Sequence, residues 1–284
     1  MSGKHVWYGG PTGNTWDSRQ WLFKGKEMTA ISMTYSGSEF LIAADGRCRS
    51  DDESATEKDR ETDQAQKIFL VEAGQLKMAY ALTGFSSNEG GKFDMVAEAE
   101  KQVKTLAMSS FSNGNQYISR FCQNIKRVVA KAKHDGRITE FSKREPAEPE
   151  EKGRKFKFYF LGFFGRVPFW VEAKFYYHPE QRGDFEFELR KNDFEIAPQI
   201  RSVGSEKIAN MMYDPNATVD PRLLKYKAKD GLLQHLLSYI KACSDPAAIE
   251  IDPDCRAIGG HIHAAKITPG AAEWLIAPLT QAAA

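Results

Sequence analysis

Three polar residues stand at the ends of short apolar segments, where their side chains could do chemistry together. Thr29 comes just before the alternating pattern of Ile31 and Met33, which is typical of a half-buried strand. Asp45 ends the apolar run "FLIAAD", and Lys67 begins the segment "KIFLV". A carboxylate and an ammonium at strand ends can form an ordinary structural ion pair or part of a catalytic site, and the residue types alone leave both interpretations open.

The segments around these residues alternate between strand pairs and helix pairs. Apolar spacing predicts a hairpin from Met28 to Asp45 and another with strands Lys67–Val71 and Leu76–Leu82. Helical spacing follows from Met95 to Leu106 and from Tyr117 to Val129. An aromatic-rich set of strands, a helix at Leu232–Ala242 and a closing hairpin complete the chain. This order predicts an α+β fold, a four-layer sandwich of antiparallel sheets and helices.

Composition narrows the class of protein. The chain has 284 residues, of which 42% are hydrophobic and 27% charged, so we expect a packed globular core. A formal net charge of +1 gives no reason to expect nucleic acid or a membrane as a partner. No apolar run reaches the roughly 20 residues of a membrane-spanning helix, and the N-terminus has no secretory signal. Four scattered cysteines predict reduced thiols in a cytoplasmic protein.

Four segments resemble the proteasome-like, beta-type family of N-terminal-nucleophile hydrolases, in the family's order along residues 29–277. They are "FLIAADGR", "AQKIFLV", "IRSVGSEKIA" and "IGGHIHAAKITPGAAEWL". The family has a four-layer αββα sandwich of two antiparallel sheets, which agrees with the fold predicted from apolar spacing. The resemblance implies hydrolysis of amide bonds by an N-terminal threonine, without a cofactor or a metal.

The resemblance also implies roles for five residues. Thr29 corresponds to the nucleophile, and Asp45 follows it by the family's spacing. Lys67 would favour the deprotonated threonine hydroxyl, and Asp45 would orient Lys67. Gly84 would donate its N–H to the developing oxyanion. Ser205 would lie near the threonine amine, which acts as the base when it is a free N-terminus.

The residues in front of Thr29 have three interpretations. Residues 1–28 are an extension or a propeptide removed by self-cleavage, with a single domain at residues 29–284. Alternatively Met28 is the true initiator, and its removal exposes Thr29. In the third, the extension stays attached and the protein is not catalytic. The apolar phase of Ile31 and Met33 would place Met28 at the nucleophile's position, whereas the spacing to Asp45 favours Thr29, which we take as the candidate.

Three functions are compatible with this sequence. The first is a threonine-type peptidase that works in a self-assembled ring or spiral of like subunits on peptides or unfolded proteins. The second is a scaffold or assembly subunit of the same fold. Cys255 and Ile258 favour it, because they stand where the family has Asp and Ser. The third is an amidase for small amides.

Two further groups of residues have a functional and a structural interpretation. His261 and His263 alternate on one strand face, a spacing that can bind metal, but no third ligand is evident and we predict no metal site. The aromatic residues between Phe156 and Tyr177 could line a ligand groove or pack in the core and at a subunit interface. They also suggest more apolar surface than one sandwich leaves in water, which predicts a homo-oligomer.

Overall fold

Two five-stranded antiparallel sheets form the centre of the protein. The computed structural model describes residues 29–49, 61–84, 92–138, 154–178, 184–192, 199–228 and 230–279. The N-terminal extension, residues 1–28, lies outside these residues.

The first sheet is assembled from both ends of the described chain. Its strands in chain order are β1 (Ile31–Tyr35), β2 (Phe40–Ala44), β10 (Gln199–Val203), β11 (His263–Ile267) and β12 (Ala272–Ile276). Their spatial order is β10-β1-β2-β11-β12, with every neighbouring pair antiparallel. The register places Ile31 between Val203 and Ala44, so the start of β1 lies beside the ends of β10 and β2.

The second sheet comes from one continuous stretch of chain and is a meander. Its strands are β5 (Ile68–Ala73), β6 (Leu76–Gly84), β7 (Arg154–Phe164), β8 (Val167–His178) and β9 (Asp184–Lys191). A two-stranded ribbon of β3 (Cys48–Arg49) and β4 (Glu61–Thr62) stands apart from both sheets. Lys67 thus precedes its strand, which the sequence predicted to begin one residue earlier.

Helices cover the outer face of each sheet. They are α1 (Met95–Ala107) and α2 (Gly114–His134) on the second sheet, and α3 (Glu206–Tyr213), α4 (Leu232–Cys243) and α5 (Pro246–Ile251) on the first. Side-chain caps begin four of them, because the first N–H groups of a helix lack partners within it. The caps are Asp94, Asn113, Ser205 and Asp245.

Three apolar layers result from this stacking. One lies between α1, α2 and the second sheet, one between the two sheets, and one between the first sheet and α3–α5. In β1, Ile31 and Met33 face the second sheet, whereas Ala30 faces the helices. The fold is therefore an α+β, four-layer αββα sandwich of two antiparallel sheets, as the sequence predicted.

The aromatic residues of β7 and β8 belong mainly to the core of this one chain. Phe156, Phe158, Phe160 and Phe175 pack between the second sheet and its helices, and Trp170 packs between the sheets. Their rings contact one another at centroid distances of 4.5–6.0 Å among Phe156, Phe158 and Phe175. The expectation that these residues leave a large apolar surface in water is thus wrong, because the two outer helices cover them.

Candidate active site

The predicted site residues lie at neighbouring strand ends of the two stacked sheets. Because neighbouring strands are antiparallel, the start of β1, the end of β2 and the start of β11 lie at the same end of the first sheet. The start of β5 and the end of β6 likewise lie together at one end of the second sheet. Thr29, Asp45 and His263 thus come from the first sheet, and Lys67 and Gly84 from the second.

The carboxylate of Asp45 is the centre of the hydrogen bonds at this edge. Oδ1 accepts the backbone N–H of Ala30 and the Lys67 ammonium, each at 2.9 Å. Oδ2 accepts the N–H groups of Gly259 at 3.1 Å and Arg47 at 3.2 Å. Asp45 is completely buried, and such a charge is tolerable only when its oxygen atoms have donors.

Asp45 and Lys67 form a buried ion pair between the two sheets. Lys67 is only 8% exposed, and its Nζ lies 2.9 Å from Asp45 Oδ1, which confirms the prediction that these side chains are in contact. Burial raises the pKa of Asp45 above the ordinary carboxyl value, while the Lys67 ammonium and the N–H groups of Gly259 and Ala30 act to lower it. The pair joins β2 to β5 at one end of the sandwich.

Thr29 lies at the head of β1, close to this pair. It is 7% exposed and stands two residues before Ile31, in phase with the strand face that is turned towards the second sheet. The N–H of the next residue, Ala30, and the Lys67 ammonium both donate to Asp45 Oδ1, each at 2.9 Å. Lys67 Nζ therefore lies within twice 2.9 Å of the backbone nitrogen of Ala30. The phase of β1 therefore turns Thr29 towards the second sheet, which Lys67 precedes.

Ser205 follows Gly204, whose backbone lies beside that of Thr29. The β1–β10 register continues to Gly204, where a Cβ would lie 3.1 Å from the carbonyl oxygen of Thr29. The Ser205 hydroxyl caps α3 by accepting the N–H of Ile208 at 3.1 Å, and it donates to Asp252 Oδ2 at 2.6 Å. The hydroxyl of Ser205 is thus held between the Asp252 carboxylate and the first turn of α3.

Asp252 is a candidate residue that the family spacing missed. The spacing placed Cys255 at the position of the supporting acid and left Asp252 out of step. In the structure, Asp252 lies between helix α5 and the 3₁₀ turn Pro253–Ala257, and its side chain accepts the hydroxyl of Ser205. Cys255, within the same turn, is buried. The thiol of Cys243 and the hydroxyl of Ser205 lower the pKa of Cys255, and burial opposes them.

The two glycines that precede β11 allow backbones to approach closely. The carbonyl of Gly259 accepts the N–H groups of Gly46 at 3.1 Å and Arg47 at 2.8 Å. Gly260 has φ 75°, and a Cβ on it would lie 2.6 Å from the carbonyl oxygen of Asp63. A side chain there would push apart the segments that hold Asp45, which explains why glycines occupy these two positions.

Gly84 is the last residue of β6 and lies at the same end of the second sheet as Lys67. Ile68 pairs with Ala81, so the strand continues three residues beyond that pair to Gly84. Gly84 has φ 87°, a conformation that favours glycine, and residues 85–91 lie outside the described chain. A turn glycine and an oxyanion donor both fit this position, so its role remains a prediction.

The two histidines near β11 have different surroundings. His263 is buried, and its ring accepts backbone N–H groups of β5 and the residue before it. The His261 ring contacts the carbonyl oxygen of Ala277 at 2.7 Å. Within the described ranges, no group of three metal-ligating side chains occurs.

Among the same residues, no helix has the length and apolarity needed to cross a membrane.

Comparison with solved structures identifies proteins of similar fold. Anbu, an ancestral beta-subunit from Yersinia bercovieri, superposes with a TM-score of 0.50 at 10% identity, covering 87% of each chain. An Anbu (Gly-1) mutant from Hyphomicrobium sp. strain MC1 gives 0.47 at 12% identity, covering 88% of this chain and 87% of the other. No protein-family model and no curated protein matches the sequence. At such identities the Yersinia likeness shows the proteasome-like fold alone.

Proposed function

We propose that this protein is a threonine-type peptidase of the proteasome-like class, with Thr29 as its nucleophile. The observation that carries the proposal is the buried Asp45–Lys67 pair, whose ammonium lies next to the first residues of β1. An ammonium there lowers the cost of deprotonating a nearby hydroxyl. The fold and the family resemblance of four segments support the same conclusion.

The proposed reaction transfers an acyl group to Thr29 and then to water. The α-amine of Thr29, once it is a free N-terminus, takes the hydroxyl proton as Oγ1 attacks the amide carbon. The amine returns that proton to the leaving amine as the C–N bond breaks and an ester remains. Water then hydrolyses the ester with the α-amine again as base. Lys67 stabilises the alkoxide, Ser205 and Asp252 orient the amine, and Gly84 donates to the oxyanion.

This mechanism requires loss of residues 1–28, because an amide nitrogen is not a base. In the sequence as it stands, Met28 is joined to Thr29 by a peptide bond. Self-cleavage and removal of an initiator Met28 both produce the same N-terminus at residue 29. The remaining residues, 29–284, are proposed to act as one domain.

The proposed substrates and assembly follow from the same class of protein. We infer that the chain acts on peptides or unfolded proteins within a ring or spiral of like subunits. No cofactor and no metal take part in this mechanism, since the amine and the ammonium provide the base and the electrostatic stabilisation.

Intact mass and N-terminal sequencing, combined with assays on a panel of fluorogenic peptides, test the proposal. We expect a form that begins at Thr29 and hydrolyses peptides. Thr29→Ala lowers kcat/KM at least about 1,000-fold, whereas Thr29→Ser, which keeps a hydroxyl, retains much of it. Lys67→Ala also abolishes hydrolysis. If processing is autocatalytic, Thr29→Ala keeps the extension. If Met28 is the initiator, Thr29→Ala leaves processing unchanged, because removal of Met28 needs no self-cleavage.

The scaffold function is the second candidate, and Ile258 favours it. This residue is 1% exposed and stands where the family has a serine that supports the amine. A protein that keeps residues 1–28 under all conditions and hydrolyses no peptide contradicts the peptidase proposal and supports the scaffold. Hydrolysis of small amides without hydrolysis of peptides favours the amidase instead.

A further inference from the structure

The ring of His263 bridges the two sheets directly beside the Asp45–Lys67 pair. His263 is the first residue of β11 and pairs with Ala44, the residue before Asp45. Its Nε2 lies 3.0 Å from the backbone nitrogen of Lys67 and 3.2 Å from that of Ile68. These nitrogen atoms are donors, so Nε2 is the acceptor for both.

This geometry fixes the protonation of the imidazole ring. Nε2 can accept N–H groups only when it carries no proton, so the neutral ring has its proton on Nδ1. His263 is 1% exposed, and Nδ1 has no hydrogen-bond partner among the described residues. Trp274 of β12 packs edge-on to the ring at a centroid distance of 6.1 Å. The ring thus offers its unprotonated Nε2 to the start of β5.

The charges around His263 also favour the neutral ring. Burial lowers its pKa to about 4, and the Lys67 ammonium and the charge of His261 act in the same direction, while a contact with the backbone of His261 opposes them. Asp45 lies beside these groups, but its carboxylate is engaged by Lys67 and by backbone N–H groups. Protonation of the ring would break both of its accepted hydrogen bonds and place a second cation beside Lys67.

We propose that His263, as the Nδ1–H tautomer, is a positioning residue that fixes Lys67 for the reaction at Thr29. Lys67 is held at both ends by the first sheet, since Asp45 binds its ammonium and His263 binds its backbone N–H. Without the second contact, the start of β5 could move along or away from the first sheet while the ion pair persisted. The inference rests on the proposed function, because it assigns Lys67 a part in that reaction.

Two substitutions of His263 distinguish the effect of its hydrogen-bond acceptor from the effect of its volume. His263→Gln offers a side-chain oxygen near the position of Nε2, whereas His263→Leu fills the space without an acceptor. Amide hydrogen exchange at Lys67 and Ile68 reports the contact without any need for activity. We expect His263→Leu to lose protection at both amides and to lower kcat about 10- to 100-fold at nearly unchanged KM. His263→Gln restores most of both, and His261→Leu, the matched control, changes neither.

Nitrogen NMR of the wild-type ring decides the case even if a variant fails to fold. The proposal expects a neutral Nδ1–H ring from pH 8 down to about pH 5. An Nε2–H tautomer, a ring that is charged at pH 6, or full amide protection in His263→Leu overturns it. If the wild type hydrolyses nothing but shows the expected tautomer and amide protection, the peptidase proposal fails while the contact stands as purely structural, and the positioning role falls with the reaction.

Discussion

Asp45 gathers donors from three distant parts of the chain, and this makes it more than one half of an ion pair. Its two oxygen atoms receive the N–H of Ala30, the N–H of Gly259 and the Lys67 ammonium. A carboxylate in this position fixes the relative placement of β1, β5 and the turn before β11. The same side chain therefore serves stability and, in the proposed reaction, the orientation of Lys67.

Replacement of this carboxylate by an amide tests both parts. Asp45→Asn leaves the buried ammonium without its counter-charge, so we expect the free energy of unfolding to fall by about 3–5 kcal/mol and hydrolysis to be lost. Asp63→Asn is the control, because that carboxylate pairs with Arg47 at 2.7 Å but is 54% exposed. It should cost about 1 kcal/mol or less. Urea unfolding measures both values, and equal losses would contradict the central place of Asp45.

The sequence predicted some residues of this site and missed others for a physical reason. Asp45 and Lys67 lie at strand ends within a short, recognisable pattern, and the structure brings them together. His263 contacts a residue 196 positions away, and Asp252 contacts one 47 positions away. Such contacts depend on the stacking of the sheets and on the length of the 3₁₀ turn, neither of which leaves a local pattern in the chain.

Helix α3 couples a cap to the candidate site. Ser205 caps this helix and also donates to Asp252, whereas Asn113 caps α2 on the opposite side of the sandwich. The two side chains make the same kind of contact with a helix N-terminus, so their loss should have similar local costs. Only one of the two caps adjoins the proposed base.

Ser205→Ala and Asn113→Ala therefore form a matched pair of variants. Each should lower the free energy of unfolding, by about 1 kcal/mol for Asn113→Ala and by about 1–3 kcal/mol for Ser205→Ala, which also removes the hydroxyl donor to Asp252 Oδ2. Only Ser205→Ala should lower kcat, at least about 10-fold. Thermal unfolding and peptide hydrolysis measure the two effects. Equal activity in both variants would reduce Ser205 to a cap.

For helices and strands, the apolar pattern predicted their positions along the chain better than it predicted which of their faces are buried. The helices α1, α2 and α4 follow the predicted 3.6-residue spacing, because each buries one stripe on a sheet. All five residues of β1 are buried, since helices cover one face of the strand and the second sheet covers the other. The prediction of a half-buried strand is therefore wrong: Ser32 and Thr34 alternate with Ile31 and Met33 but lie buried, so polar residues did not mark a face exposed to solvent.

For the whole molecule, the expected homo-oligomer now has a different basis. The aromatic strands are covered within the chain, and the large apolar side chains that are clearly exposed among the described residues are scattered: Met108, Val167, Leu224, Leu275 and Leu279. Apolar surface is therefore no argument for association, and the proposal rests on the class of fold. Light scattering at micromolar concentration should give several times 32.0 kDa per particle. A monomeric mass would contradict the ring or spiral.

The origin of the two sheets has a consequence for the order of folding. The second sheet and its helices come from residues 68–191, whereas the first sheet needs both β1 and strands that follow residue 199. Contacts within the continuous stretch close shorter loops and should form earlier, even on a nascent chain. Pulse-labelled hydrogen exchange should find β6–β8 protected before β1 and β11, and simultaneous protection would contradict this order. The end of the sandwich that holds Thr29 and Asp45 is then complete only after β10 and β11 have been synthesised, so synthesis itself would delay the onset of any proposed cleavage.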